Sequence, residues 1–406
     1  MCDPVSHVDS AAIGIWVKAG TRDEPRGHRG VAHFVEHTSF RRTRHRSASK
    51  ISKDFENRGA YANAYTTKEE TCYYVRTLSE HIDQVMDTLV DVVLWPVFAD
   101  VDIEKERSII TEEIRSYEDE PEEHIFDIGE LQMFPRHSLG SPIVGTVNDV
   151  QSITTEHVTE FHRRHYHSGS IVVAVSGRCD PLHIVRLAEK LMHDTPARKA
   201  PPRRSSPSPR AASHMSIERA SQQAHLLWQA RTTGCRHEDR HALQILNVVL
   251  GDGMSSRLNV RLRESRGLTY SVYSQLQLFA DCGLMAIYAG VDEQNLGKAE
   301  GGIRRVLEEI ASSGITTAEY RRAIAQLRAG KLMSLESLTA RMTLLGKGVM
   351  ETGQPEDPES TIEALSQVSL DDVARVAAQY CDPDLWSTCT IRPSAVSDHN
   401  LSDDTD

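Results

Sequence analysis

The chain has 406 residues, of which 39% are hydrophobic and 26% are charged, a composition typical of a soluble globular protein with two or three domains. Its formal net charge of −12 disfavours nucleic acid or an anionic membrane surface as the main partner. No apolar stretch approaches the ~20 residues of a membrane span, and no basic segment followed by an apolar run opens the chain.

Six segments have the apolar pattern of strands, and six have the amphipathic pattern of helices. Hairpin-like strand pairs followed by runs of helices predict an α+β fold, with largely antiparallel sheets and helices packed on one face. The predicted strands are residues 11–19, 71–78, 171–176, 224–230, 269–278 and 282–289. The predicted helices are residues 81–94, 102–117, 182–192, 242–250, 296–312 and 318–333.

Residues 194–213 are rich in Pro, Arg and Ser and have almost no large apolar side chain. Such a segment cannot bury much surface, so we expect an exposed linker. It separates a predicted domain at 1–193 from a second at 214–394, and a polar tail follows at 395–406.

The two halves carry a weak repeat. Residues 150–158 reappear as residues 365–373, 215 positions later, and each copy precedes a helix and an apolar strand. We therefore expect two domains with the same fold. Without a gap, this offset places Val248, Gly251 and Asp252 opposite His33, Glu36 and His37, which predicts a second domain without metal ligands.

The seven cysteines are scattered, and none forms a C-x-x-C pair. An odd, dispersed set indicates reduced thiols and therefore a cytoplasmic location. The cysteines are Cys2, Cys72, Cys179, Cys235, Cys282, Cys381 and Cys389.

Residues 33–37 read H-x-x-E-H, the inverted form of the zinc-peptidase signature. On a helix, His33 and His37 lie about one turn apart on one face, so both can bind one metal ion. Glu36 lies beside them, where its carboxylate can act on water at the metal. A chance match is the alternative, because the chain has 19 histidines; those at 162, 165 and 167 are interpreted as a solvated helix end.

A catalytic zinc site needs a third protein ligand from elsewhere in the chain. The predicted helix at 102–117 contains Glu106, Glu112 and Glu113 among isoleucines. Glu106 and Glu113 are seven residues apart and share one face, which the isoleucines would turn toward the interior. Carboxylates there need a partner, and a metal ion is one. A solvated acidic helix is the alternative.

Three stretches follow the order and spacing of a known family: GIWVKAGTRDEP at 14–25, VAHFVEHTSF at 31–40 and ERSIITEEI at 106–114. On these stretches the chain resembles the pitrilysin-type zinc metallopeptidases, or inverzincins. The resemblance is to their short two-domain branch, which includes the beta subunit of the mitochondrial processing peptidase and its bacterial homologues.

This resemblance implies a zinc-dependent endopeptidase with one Zn²⁺ per chain, held by His33, His37 and Glu113. It implies Glu36 as the general base on zinc-bound water, and Glu106 as a catalytic-site glutamate that orients a ligating imidazole. The implied substrates are peptides or unfolded protein segments.

The resemblance also implies residues that bind substrate. Asn63 and Ala64 match positions on an edge strand to which family substrates add as an extra strand. Arg263 and Tyr270 match a pair that holds the substrate and stabilises charge on the tetrahedral intermediate. The alternatives are an ordinary hairpin strand, and a buried tyrosine beside a surface arginine.

Family members cleave inside a closed chamber of four similar domains, of which a two-domain chain supplies half. Because this chain carries both the zinc motif and the Arg/Tyr pair, we expect a homodimer with sites completed in trans. One alternative is a subunit of a heteromeric processing peptidase that needs a related but different chain. Another is a non-catalytic scaffold subunit, which the intact ligand set disfavours.

Two features depart from the family pattern. Only about ten residues precede the stretch at 14–25, so the family's first strand is expected to be missing. Arg41-Arg42-Thr43 stands where the family often has Lys-Gly-Thr, and an arginine in place of the glycine puts the backbone turn in doubt.

Overall fold

The computed structural model describes residues 1–198 and 204–394. The middle of the predicted linker and the whole predicted tail at 395–406 lie outside the described residues. The described chain forms two compact units, each assembled from separate stretches. Unit 1 contains residues 1–116, 134–207 and 325–367, and unit 2 contains residues 117–133, 208–324 and those from 368 onward. The domain boundaries at 193 and 214 stay a prediction.

The described residues contain ten strands and fourteen α-helices, which are numbered here in chain order. The strands are β1 (Cys2–Pro4), β2 (Ser10–Val17), β3 (Tyr61–Thr66), β4 (Thr71–Leu78), β5 (Ile171–Gly177), β6 (His214–Arg219), β7 (Ala224–Thr232), β8 (Thr269–Leu278), β9 (Gly283–Val291) and β10 (Ser387–Pro393). The helices are α1 (Val31–Ser39), α2 (Ala48–Glu56), α3 (Ile82–Leu94), α4 (Asp100–Asp119), α5 (Pro121–Met133), α6 (Val147–Ser152), α7 (Thr155–His165), α8 (Pro181–Leu191), α9 (Arg240–Leu250), α10 (Leu296–Ser313), α11 (Thr317–Ser334), α12 (Leu338–Thr352), α13 (Pro358–Gln367) and α14 (Leu370–Tyr380).

The sheet of unit 1 has the strand order β1-β5-β2-β4-β3. Strand β1 runs parallel to β5, and the other neighbours are antiparallel. The expectation of a missing first strand is wrong, because Cys2–Pro4 forms a three-residue strand at this edge. Strand β3 forms the opposite edge, so one side of its backbone has no strand neighbour among the described residues.

Successive side chains of β2 point to opposite faces of this sheet. Ile13 and Ile15 pack into the large core formed with α1, α3 and α4. Trp16 points to the other face, where it packs against Leu338 and Met342 of α12. Helices therefore cover both faces of the sheet, although most lie on the first.

Unit 2 repeats this topology. Its sheet has the order β6-β10-β7-β9-β8, again with one parallel pair, β10 and β6, at the edge. Its remaining neighbours are antiparallel. The predicted α+β fold of two similar, largely antiparallel sheets is confirmed.

The repeat predicted from the sequence also appears at the N-termini of two equivalent helices. Helices α7 and α14 each begin at a capping box, with Thr154 and Ser369 as N-cap residues 215 positions apart. The offset is not uniform, because α9 ends at Leu250 and leaves Gly251 and Asp252 beyond it. The residues expected opposite the histidine motif therefore do not occupy one helical face.

The interpretation of the histidines at 162, 165 and 167 as a solvated helix end is wrong. His165 and His167 are 4% and 2% exposed. His162 stacks on Tyr166 and lies 2.9 Å from the carbonyl oxygen of Val93. These rings are part of the packing around α7.

Within residues 1–198 and 204–394, no helix combines the length and apolar character required to cross a bilayer.

Candidate metal centre

Helix α1 presents the H-x-x-E-H motif. Its N-terminus is closed by the Glu24 carboxylate, which accepts hydrogen bonds from the backbone N–H groups of Gly30 at 3.0 Å and Ala32 at 2.9 Å. Acceptor oxygens at this end satisfy backbone N–H groups that have no partner within the helix. Phe34 and Val35 are fully buried in the core. This anchoring fixes the direction in which the two histidines point.

Helix α4 presents the glutamates. Ile103, Ile110 and Ile114 are buried in the core of unit 1 and fix the rotation of the helix. Glu106 is 2% exposed, whereas Glu113 is half-buried. Glu112 is exposed and pairs with Arg115 at 2.5 Å, so it points away from the motif.

The two helices bring His33, His37 and Glu113 together. Glu113 Oε1 lies 3.8 Å from His33 Nε2, and its Oε2 lies 3.7 Å from His37 Nε2. One donor atom from each residue lies within 4.8 Å of the others. Among the described His, Cys, Asp and Glu residues, this is the one group that could hold a metal ion.

The donor set fits zinc. Two imidazole nitrogens and one carboxylate oxygen are ligands that catalytic zinc sites use, with one position left open. The donor atoms are too far apart to hydrogen-bond one another, which leaves space between them for an ion.

The two histidines differ in how readily they bind a proton, and only a neutral imidazole can bind a metal ion. Burial, together with the neighbouring His37, lowers the pKa of His33 to about 3, so its ring is neutral at pH 7. Burial would also lower the pKa of His37, but the hydrogen bond to Glu106 and the nearby carboxylates raise it instead. Of the two imidazoles, His37 is therefore the one at which a metal ion competes with a proton.

Glu106 supports His37 rather than joining the ligands. Its Oε2 accepts a hydrogen bond of 3.0 Å from His37 Nδ1, which leaves Nε2 directed toward Glu113. Burial alone would raise the pKa of Glu106, but hydrogen bonds from His37 and Arg41 lower it. The carboxylate is thus ionised and holds the imidazole in one tautomer. His33 differs, because its Nδ1 is buried without a hydrogen-bond partner.

Glu36 lies outside the ligand group. Its Oε2 accepts a hydrogen bond of 2.5 Å from Thr66 Oγ1 at the end of β3. Burial raises the pKa of Glu36. The sequence analysis did not identify Thr66 as a site residue. Thr66 is the last residue of β3, the strand that carries Asn63 and Ala64.

Asn63 and Ala64 lie on the edge strand β3, where they pair with Tyr74 and Tyr73 of β4. The side chain of Asn63 is exposed and accepts a hydrogen bond of 2.8 Å from the Ala64 N–H. Both residues are therefore placed where an added strand could reach them.

Arg263 and Tyr270 belong to unit 2. Arg263 lies in a π-helical segment, Asn259–Glu264, and Gly267 with φ +58° turns the chain toward β8. Tyr270 follows at a bulge in β8 and is 77% exposed. The alternative of a buried tyrosine is therefore wrong.

Comparison with known proteins defines the family. The family described as Insulinase (Peptidase family M16) matches residues 5–147, and Peptidase M16 inactive domain matches residues 152–327. A protein of Mycobacterium leprae named an uncharacterized zinc protease is 36% identical over 376 residues, which cover 92% of this chain and 84% of that protein. The chain belongs to peptidase family M16.

Other M16 relatives are similar along the same length. An uncharacterized zinc protease of Bacillus subtilis is 32% identical over 95% of this chain and 94% of its own length. This chain is thus a short, two-domain M16 protein, and its relatives' names support a peptidase.

Solved structures support the M16 fold. A structure described as a peptidase M16 inactive domain from Pseudomonas fluorescens superposes with a TM-score of 0.91 at 19% identity, covering 97% of this chain and 95% of that one. A protease from Helicobacter pylori gives a TM-score of 0.89 at 21% identity, covering 97% and 96%.

Proposed function

We propose that this M16 protein is a zinc-dependent endopeptidase in which His33, His37 and Glu113 hold the metal ion. The observation that carries this proposal is the convergence of their three donor atoms within 4.8 Å. The zinc protease names of its relatives support the choice of metal. A bound zinc ion would lower the pKa of a water molecule toward about 7 and polarise the scissile carbonyl.

Glu36 would act as the general base. It lies on the same helix as both histidines, and Thr66 holds one of its two oxygens, Oε2. A raised pKa suits a carboxylate that must first accept a proton and then release it. Glu36 would take a proton from the attacking water and donate it to the leaving amine as the C–N bond breaks.

Substrate would bind along β3 as an additional strand. The exposed edge offers backbone N–H and C=O groups, which would bind peptides with little regard to sequence. Asn63 and Ala64 would contact the substrate there. The exposed Tyr270, with Arg263, would hold the substrate and stabilise charge on the tetrahedral intermediate. Peptides and unfolded protein segments are the substrates that can bind as an added strand. They would be cleaved inside a closed chamber.

We further propose a homodimer in the bacterial cytoplasm. All seven cysteines lie in the described residues and are free, which suits a reducing compartment. A subunit of a heteromeric processing peptidase is the second candidate. In that case a related but different chain would complete the zinc site.

The experiment measures zinc content and hydrolysis of a quenched fluorescent peptide in three variants. Glu36→Gln should keep its zinc and lose about 10²- to 10⁴-fold in kcat, because a general base is removed. Glu113→Ala should lose zinc. Glu112→Ala is the matched control, since this exposed neighbour should change neither property.

Two results would reject the proposal: unchanged zinc in Glu113→Ala, or full activity in Glu36→Gln. A chain that holds zinc but gains peptidase activity only with a related subunit would favour the heteromeric alternative. A chain that binds no zinc would favour a scaffold subunit.

A further inference from the structure

The segment that joins α1 to α2 carries four arginines, and three of them make ion pairs with neighbouring helices. Arg41 Nε donates to Glu106 on α4, and Arg42 Nε donates to Asp102 on α4 at 3.2 Å. Arg46 contacts Asp91 on α3 at 2.7 Å and Asp54 on α2 at 3.0 Å. The chain thus leaves the histidine helix through a basic segment bound to acidic groups on three sides.

The sequence left open whether an arginine at position 42 can adopt the backbone conformation of the glycine that the family often has there. The backbone angles answer this question. Among the described non-glycine residues, only Arg136 has a positive φ, so Arg42 does not adopt a conformation that favours glycine. Arg42 instead forms a β-bridge with Ser47. The arginine pair is therefore compatible with the backbone, and each side chain reaches α4.

Arg41 and His37 bind opposite oxygens of the same carboxylate. Glu106 Oε1 accepts from Arg41, and Glu106 Oε2 accepts from His37 Nδ1 at 3.0 Å. The side chain of Glu106 is 3% exposed, so water has little access to complete its hydrogen bonds. A buried carboxylate held at one oxygen can rotate, whereas one held at both presents a fixed acceptor to the imidazole.

We propose that Arg41 is a positioning residue of the metal site, which acts through Glu106 on His37. By fixing Oε1 it orients Oε2 toward Nδ1 of His37, and so directs Nε2 of that ring toward Glu113. This role rests on the proposed zinc site. It assigns a function to Arg41, the first residue of the Arg41-Arg42 pair that stands where the family often has Lys-Gly.

The test measures the zinc dissociation constant by competition with a chromophoric chelator, together with the absorption spectrum of the Co²⁺-substituted protein. Arg41→Gln should weaken zinc binding about 10- to 100-fold, as loss of a group that orients a metal ligand does, and should alter the Co²⁺ bands. Arg42→Gln is the matched control, because its partner Asp102 does not touch His37. We expect it to change the constant by less than about threefold.

Arg41→Lys keeps the charge that balances Glu106 but lacks the planar guanidinium. It should bind zinc about 5- to 10-fold more weakly than wild type, which exceeds the change expected in Arg42→Gln, and it carries the test if Arg41→Gln does not fold. A dissociation constant equal to that of wild type in Arg41→Lys or Arg41→Gln would overturn the role. So would equal losses in Arg41→Gln and Arg42→Gln.

A double variant tests whether the effect passes through Glu106. In a Glu106→Gln background, adding Arg41→Gln should change zinc affinity by less than about threefold, because the intermediary is already lost. Full additivity would contradict the proposal. A wild-type chain that binds no zinc would overturn the proposed function and this role together, whereas zinc binding indifferent to Arg41 would overturn this role alone.

Discussion

Thr66 Oγ1 donates a hydrogen bond of 2.5 Å to Glu36 Oε2, which links the last residue of the edge strand to the glutamate of the histidine motif. Both side chains are buried, and each residue is 8% exposed. The strand proposed to bind substrate is therefore in direct contact with the proposed base. A peptide that adds to β3 would be aligned on the same element that orients Glu36.

Replacing Thr66 with valine should lower kcat about tenfold while zinc content stays at the wild-type level. Valine has the shape of threonine without the hydroxyl, and hydrogen bonds to charged groups contribute about 1.5–3 kcal/mol. Peptide hydrolysis and zinc analysis measure the two quantities. Thr66→Ser, which keeps the hydroxyl, is the control, and wild-type kcat in Thr66→Val would show that the bond is not needed.

Zinc affinity should fall as the pH falls, and His37 should take up a proton before His33 does. The folded pKa of His37 is raised, so below that pKa the ion must displace a proton and its affinity should drop about tenfold per pH unit. His33, with a pKa of about 3, should add nothing above about pH 4. Titrations with a chelator between about pH 5.5 and pH 8.5 measure this dependence.

The metal-free protein should show the opposite trend in stability. Because the pKa of His37 is raised by Glu106, its contribution to folding is fully present below its unfolded pKa and is lost as the pH rises through the folded value. Glu106→Gln should weaken this dependence and move the loss of zinc affinity to lower pH, because Glu36 and Glu113 still raise the pKa of His37. A zinc affinity independent of pH across this range would contradict the assignment.

Replacement of Gly346 on α12 and of Gly330 on α11 by alanine should have opposite effects on the free energy of unfolding. A Cβ at Gly346 would lie 2.5 Å from Cε3 of Trp16, whereas a Cβ at Gly330 would meet nothing within 4 Å. Gly346→Ala should destabilise the protein by about 1–3 kcal/mol through overpacking. Gly330→Ala should stabilise it by about 0.4–1 kcal/mol, because alanine restricts the unfolded chain. Thermal unfolding measures both, and a melting temperature unchanged by Gly346→Ala would refute the packing argument.

Mixing two inactive variants tests the proposed homodimer. Glu36→Gln lacks the base, and Tyr270→Phe lacks the phenol hydroxyl that would stabilise charge. If two identical chains complete each other's sites, the mixture should recover part of the peptidase activity, since one site in each mixed dimer is intact. No recovery, despite subunit exchange demonstrated by mass spectrometry, would exclude sites completed in trans.

The sequence predicted the fold well where local patterns determine structure. All six predicted strands and all six predicted helices have counterparts, with bounds that differ by a few residues. The alternation of apolar residues specifies β2, and the isoleucines of α4 specify its buried face. The i, i+4 spacing placed His33 and His37 on one helical face, and the family's spacing pointed to Glu113.

Other features depend on contacts between residues distant in sequence. Nothing in the local pattern around Thr66 or Arg41 indicates which carboxylate each will reach, because that depends on how β3 and α4 pack beside α1. The same limit applies to α12. Its apolar face is visible in the sequence, but its partner, the face of the first sheet that carries Trp16, lies more than 300 residues earlier.

This separation has a consequence for the order of events during translation. The first sheet has all its strands once Gly177 has emerged, but α12, which covers the Trp16 face, begins at Leu338, roughly 160 residues later. At about 5–20 residues per second, the ribosome needs roughly ten to thirty seconds to synthesise that interval. The nascent chain exposes an apolar surface throughout it. A chaperone that binds exposed apolar surface would find its target on the nascent chain during this time, and a fragment ending before Leu338 would keep the surface exposed permanently.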